Sequence, residues 1–230
     1  MTQRSIRAGN NQTVIIKAGG SVTVKGCEGE LVTAESSDRW GLGVDRHSPS
    51  QIGRARLAAG DHVLFDWRIK TADLKENPGT DEVIEIQMGG SGTVSVPFGS
   101  NLKIYSGKDI DVQDIRGQVD AFAGLKLNIQ NVHCLGNASA GWSMNLDCET
   151  MLAGDVEFKS GSDLRFHVAD LTSAYIRVKD LGGYWETRIG SGEKSVYLKS
   201  GGDVTLVTDR KAEALPPNYI LGRIETPPAA

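Results

Sequence analysis

The sequence predicts an all-β protein: a parallel β-solenoid preceded by an N-terminal β region that leads into it and caps it. Three observations carry this reading. Residues 94–210 repeat one short theme, in which apolar and polar residues alternate and a Gly/Asn/Asp corner follows. The copies recur at close intervals: Ile110 to Leu127 is 17 residues, Leu127 to Leu146 is 19, and Leu146 to Phe166 is 20. No window has the period of a long amphipathic helix.

Along the chain, Val14-Ile-Ile16, a Gly19-Gly20 corner and Val22-Thr-Val24 form a strand–corner–strand unit of the later kind. Residues 35–60 are polar and Gly-rich, and a structureless loop that long is unusual, so a short strand is expected near Trp40–Val44. Val63, Phe65, Trp67 and Ile69 alternate with His62, Asp66 and Arg68, only Leu64 spoiling the polar face, and Ile84, Ile86 and Met88 do the same after the turn Glu76-Asn-Pro-Gly79. These two runs read as a hairpin-like pair.

From Val94 the repeat takes over. Its clearest copies are Ile110-Asp-Val-Gln-Asp-Ile115, Leu127-Asn-Ile-Gln-Asn-Val132, Phe166-His-Val-Ala-Asp-Leu171 and Ile176-Arg-Val-Lys-Asp-Leu181. Alternation means a strand with one face buried. Asp or Asn before the last apolar residue suits a corner, because both tolerate the left-handed region. A 19-residue unit is too short for four antiparallel strands and fits one turn of a solenoid. The interior would then hold Leu102, Ile104, Ile110, Val112, Leu125, Leu127, Ile129, Trp142, Met144, Leu146, Val156, Phe158 and the matching residues through Leu206. No single turn buries enough to fold alone, so stability comes from stacking. With turns ~4.8 Å apart, about six make a rod on the order of 30 Å long. The alternative is an antiparallel sandwich with Gly-rich hairpins. The organisation expected is 1–93 as the N-terminal β region, 94–210 as the repeats and 211–230 as a Pro-rich tail.

Net charge is −4, which argues against general nucleic-acid affinity. The opening Met-Thr-Gln-Arg-Ser-Ile-Arg is followed by polar residues, and no stretch is long enough to cross a bilayer, so a cytoplasmic chain is expected. Three cysteines are odd in number, and Cys148 shares the interior parity of Trp142, Met144 and Leu146, which reads as a buried free thiol.

Gly19-Gly-Ser-Val-Thr-Val-Lys-Gly26, Val94-Ser-Val-Pro-Phe-Gly-Ser-Asn-Leu102, Gly107-Lys-Asp-Ile-Asp-Val112 and Gly201-Gly-Asp-Val-Thr-Leu206 resemble a bacterial β-strand-repeat family called "putative adhesin". The shared features are a V-x-V-P-x-G-x-x-L run and S-G-D-[IV]-x-[VL] repeats, over 19–210. The resemblance implies a single-stranded, right-handed β-solenoid without catalytic machinery, and it carries over no functional residues. Many relatives are exported or membrane-attached, whereas no such segment is expected in this chain, a departure from them. A more distant resemblance is to bactofilins, cytosolic β-solenoids that polymerise end to end.

Candidate chemistry is sparse. Asp109, Asp111 and Asp114 cluster, yet no Asp-x-Asp-x-Asp-Gly loop accompanies them, and a solvated corner is the better account. His47, His62, His133 and His167 share no metal-ligand spacing, and neighbours His133 and Cys134 face opposite ways on a strand. No cofactor and no metal is expected, and a polysaccharide-cleaving β-helix is the least favoured reading. The Gly-rich corners lack the Lys-Ser/Thr of a phosphate loop and read as turns.

Two surfaces remain. By parity Arg165, His167, Tyr175, Arg177, Tyr184, Arg188, Tyr197 and Lys199 point outward, and Tyr and Arg are common interface anchors. Arg165, Tyr175, Arg177, Tyr184, Arg188 and Tyr197 would offer a stripe to a protein or glycan partner. The tail residues Tyr219, Ile220, Leu221 and Ile224, docked on a turn containing Val204 and Leu206, would mediate self-association into an oligomer or polymer. The function expected is a non-enzymatic scaffold, with the partner-binding module as its alternative.

Overall fold

The computed structural model describes residues 2–8, 11–37, 42–47, 83–152, 154–169, 173–181, 183–189, 192 and 194–208. Among them are 17 strands and no helix, and therefore no helix long and apolar enough to cross a membrane. The strands form a large, mostly parallel sheet folded into two faces around one core.

On the first face, β2 (Thr13–Ala18) lies parallel between β6 (Val83–Met88) and β8 (Asn101–Ser106). Pairing continues through the C-terminal halves of β9 (Ile110–Ala123) and β10 (Leu127–Ala140). It then runs through β12 (Gly154–Ser160), β16 (Lys194–Ser200) and β14 (Ala174–Asp180). On the second face, β7 (Gly92–Pro97) and β3 (Val22–Cys27) lead to the N-terminal halves of β9 and β10. From there the face continues through β11 (Met144–Met151), β13 (Leu164–Val168) and β17 (Val204–Thr208). Antiparallel strands finish the edges: β5 (Leu42–His47) on β6, β4 (Leu31–Ser36) on β7 with β1 (Thr2–Arg7) beyond it, and β15 (Gly183–Ile189) on β14.

Alternation explains the core. Ile16, Ile104, Ala121, Ala138, Phe158 and Leu198 stack inward on one face, and Val24, Val112, Ile129, Leu146, Phe166 and Leu206 on the other. Phe158 meets Phe166 across the middle, edge to face, at 4.9 Å between centroids. Cys148 is buried here as a free thiol, its pKa pushed up chiefly by desolvation. Three sequence expectations are corrected. Leu127 stands opposite Met144, so that step is 17 residues rather than 19. Leu125 (44% exposed) and Trp142 (60% exposed) lie outside, because each follows a corner glycine and escapes the strand parity.

The corners explain how rungs stay aligned. Gly89, Gly19, Gly107, Gly124, Gly141, Gly161 and Gly201 form a column. From Gly19 onward each N–H donates to the carbonyl of the residue before the preceding glycine, at 2.9–3.1 Å. A Cβ on any of those six would come within 3 Å of the preceding glycine's carbonyl oxygen, so close approach of backbones demands glycine. Ser106, Ser160 and Ser200 turn their hydroxyls inward beside the column and donate to carbonyls of Gly20, Trp142 and Ser162. Farther along, Asp114 (φ 59°) and Asn131 (φ 52°) occupy the left-handed corners that their residue type suits, one hydrogen-bonded to the other at 2.7 Å.

The rungs do not stack in chain order. β2 and β3 sit between β6–β7 and β8–β9, and β16–β17 stacks directly on β12–β13 while β14 and β15 lie outside β16. The rungs that turn at a column glycine share the same backbone ladder and corner, so this pattern by itself does not fix which rung neighbours which. The strand expected near Trp40–Val44 is β5, while the run 63–69 falls outside the described residues.

Candidate ligand-binding face

Strand parity on β14 buries Ala174, Ile176 and Val178 and turns Tyr175, Arg177 and Lys179 outward. Parallel pairing sets Tyr197 of β16 beside Arg177. Antiparallel pairing sets Glu186 of β15 opposite Arg177, and Arg188 opposite Tyr175. Residues distant in sequence thereby meet on the outer surface of the first face. The Arg177 guanidinium lies 5.8 Å from the Tyr175 ring centroid and 5.5 Å from that of Tyr197, and Arg188 lies 5.6 Å from Tyr175. These are cation–π distances.

Glu186 ties the patch together. It accepts hydrogen bonds from the Tyr175 hydroxyl at 2.6 Å and the Tyr184 hydroxyl at 2.9 Å. Those bonds hold both phenols above the usual phenol range and hold the carboxyl below the usual carboxylate range, because each favours carboxylate over phenolate. Arg177 also faces Asp155 at 3.9 Å. Two fixed rings, two guanidiniums and an exposed Tyr184 (58%) make a preorganised surface that can stack on flat groups and pair with anions.

Five of the six residues expected to form the stripe lie here. Arg165 does not: it lies on β13 in the second face, between Asn145 and Thr205. His167, on the same strand, hydrogen-bonds Asp147 at 2.7 Å. Lys199 flanks the patch. Val204 and Leu206 point into the core at 1% and 3% exposure, and Tyr219, Ile220, Leu221 and Ile224 lie outside the described residues.

Sequence parity missed Glu186 as the organiser, because a lone Glu between Trp and Thr carries no signal until antiparallel pairing places it. It also missed the column Lys159, Lys199 and Lys179, in register across β12, β16 and β14. A readable signal existed for two of these: Lys159 and Lys199 each stand two residues before a corner glycine.

Other clusters serve the stack. Asp109 accepts from the Ser21 hydroxyl at 3.3 Å and the Lys126 amide at 3.1 Å, and Asp111 accepts from Asn128 at 3.4 Å. His133 pairs with Glu149 at 2.5 Å. Among the described residues no group of three or more His, Cys, Asp or Glu side chains is placed to hold a metal ion.

No protein-family model matches the chain, and no curated protein matches it. Among solved structures the chain is similar to a "putative cell adhesion protein" from Clostridium sporogenes, at 10% identity, covering 90% of this chain and 99% of that one, with a TM-score of 0.38.

Proposed function

We propose that the chain is a β-solenoid that works by binding rather than by reaction, and that the outward side of β12, β16, β14 and β15 is its ligand-binding face. The observation that supports this is the convergence of Tyr175, Arg177, Tyr184, Arg188 and Tyr197 on one surface, held by Glu186. Tyr and Arg supply large contact area and directional charge, and groups fixed before binding lose little entropy on it. The non-enzymatic reading is supported by how carboxylates are used elsewhere: Asp109, Asp111 and Asp114 each accept hydrogen bonds from the neighbouring rung. The test is a panel of neutral and acidic glycans and of acidic and basic peptides, offered to the full chain and to Arg177→Ala/Tyr184→Ala. Retention of a panel member by the wild type, lost in the variant at an unchanged melting temperature, is the expected outcome. Equal retention by both proteins, or none by either, overturns the reading.

A further inference from the structure

We infer that the ligand of this face is a linear acidic polysaccharide lying along the stack, its anionic groups on the lysine column; this rests on the binding reading above. On the first face the residue two places before each corner glycine points outward, and these residues fall in register. Tyr105, Phe122, Ser139, Lys159 and Lys199 follow one another across β8, β9, β10, β12 and β16. Lys179 of β14 and Tyr184 of β15 extend the line. Seven strands at ~4.8 Å make a straight track of roughly 29 Å.

Three features give the track its specificity. Like charges directly opposite on neighbouring strands oppose folding. Lys159, Lys199 and Lys179 nonetheless stand side by side, all exposed, and among the described residues neither Lys179 nor Lys199 has an ion-pair partner, while Lys159 pairs with Glu157 at 2.6 Å. The adjacent column, Glu157, Tyr197, Arg177 and Glu186, alternates in character, so the lysine run is not imposed by the fold. A chain carrying anions at short intervals relieves the repulsion. Past Ser139, Tyr105 and Phe122 stack at 5.1 Å with 13° between planes and leave a half-exposed apolar strip, against which C–H faces of sugar rings can lie; beyond them the column ends in Lys17, paired with Glu85, and Gln87. Beside the track stand Asp120, Glu157 and Glu186. These carboxylates can accept hydrogen bonds from the ring hydroxyls of a glycan, which the backbone of oligothymidylate lacks, and this favours a glycan over a nucleic acid.

The experiment titrates the full chain with polygalacturonate, dextran sulfate, neutral dextran and oligothymidylate. The expected result is binding of an acidic glycan, weakened by salt, with dextran inert. Whether polygalacturonate or dextran sulfate binds tighter assigns the anion as carboxylate or sulfate. Lys159→Gln/Lys179→Gln/Lys199→Gln should bind about tenfold more weakly at an unchanged or higher melting temperature. The single variants Lys179→Gln and Lys199→Gln serve if the triple variant misfolds. Tyr105→Thr/Phe122→Thr should lose affinity while keeping its salt dependence. Full affinity in the lysine variants, equal binding of dextran, or tighter binding of oligothymidylate overturns the inference. If no glycan binds but a peptide is lost on Arg177→Ala/Tyr184→Ala, the inference falls and the binding reading stands. If the lysine variants alone lose the glycan, the track stands and the Tyr/Arg patch is not its site.

Discussion

The two outer faces are built on the same backbone ladder, and they differ in whether their polar side chains satisfy one another. On the second face Asn145 donates to Asn128 at 2.9 Å and Asn128 to Asp111 at 3.4 Å, one rung to the next. Gln130 and Gln113 brace the same residues from the side at 3.3 Å. Amides carry both donors and acceptors, so a stack of them closes on itself. On the first face the later rungs stack Lys159, Lys199 and Lys179 in register, and an ammonium group only donates. No lysine of that column can satisfy another, and Lys179 and Lys199 point their donors at solvent. A self-satisfied ladder holds the stack together, whereas an open one is available to something else.

Both faces depend on the glycine column between them, so the largest effect is expected there. Gly141→Ala drives a methyl into the Gly124 carbonyl oxygen and forces the rungs apart at the corner. A cost of about 3 kcal/mol in denaturant unfolding is expected, with both faces losing register. Gly99→Ala is the control: a methyl there meets nothing nearer than Asn11 Oδ1 at 3.5 Å, and stability should stay within about 0.5 kcal/mol. A Gly141→Ala protein as stable as the wild type would show that the corners are not what sets the register.

Much of this was legible in the sequence, for identifiable reasons. Alternation alone placed Leu102, Ile104, Leu146 and Phe166 inside, because a strand has only two faces. Asp114 and Asn131 announced their corners through residue type. Rung order was not legible, since β2 finds the same pattern in β6 and β8 as the later rungs find in each other. Leu125 and Trp142 were misplaced because the corner interrupts the alternation that parity counts on. Glu186 was invisible because its partners come from an antiparallel strand pair, where opposition depends on the turn between them.

The contrast between the faces sharpens into a pair of substitutions of opposite sign. Asn128→Ala leaves Asp111 and Asn145 without their shared partner and should cost about 1 kcal/mol. Lys199→Gln removes a like charge from between Lys159 and Lys179 and should raise stability by about 0.3 kcal/mol. Thermal unfolding of the two variants at low salt checks both, and the lysine effect should fade as salt is added. If Lys199→Gln destabilises as much as Asn128→Ala, the first face is as self-satisfied as the second.

The smallest effect lies at Glu186, where the first face does satisfy itself locally. Its pKa is depressed when folded, so its contribution is present above the ordinary carboxylate pKa and is lost as pH falls through the depressed value. The phenols of Tyr175 and Tyr184 are raised, so theirs is present below the ordinary phenol pKa and is lost as pH rises through the raised values. Tyr184 and Glu186 are exposed and Tyr175 partly so, so the readout is titration rather than global stability. In Glu186→Gln the neutral amide no longer disfavours phenolate, and the near-ultraviolet phenolate signal of two tyrosines should appear at lower pH than in the wild type. An unchanged titration would mean that Glu186 does not hold these rings, and that the patch is an accident of parity rather than an arranged surface.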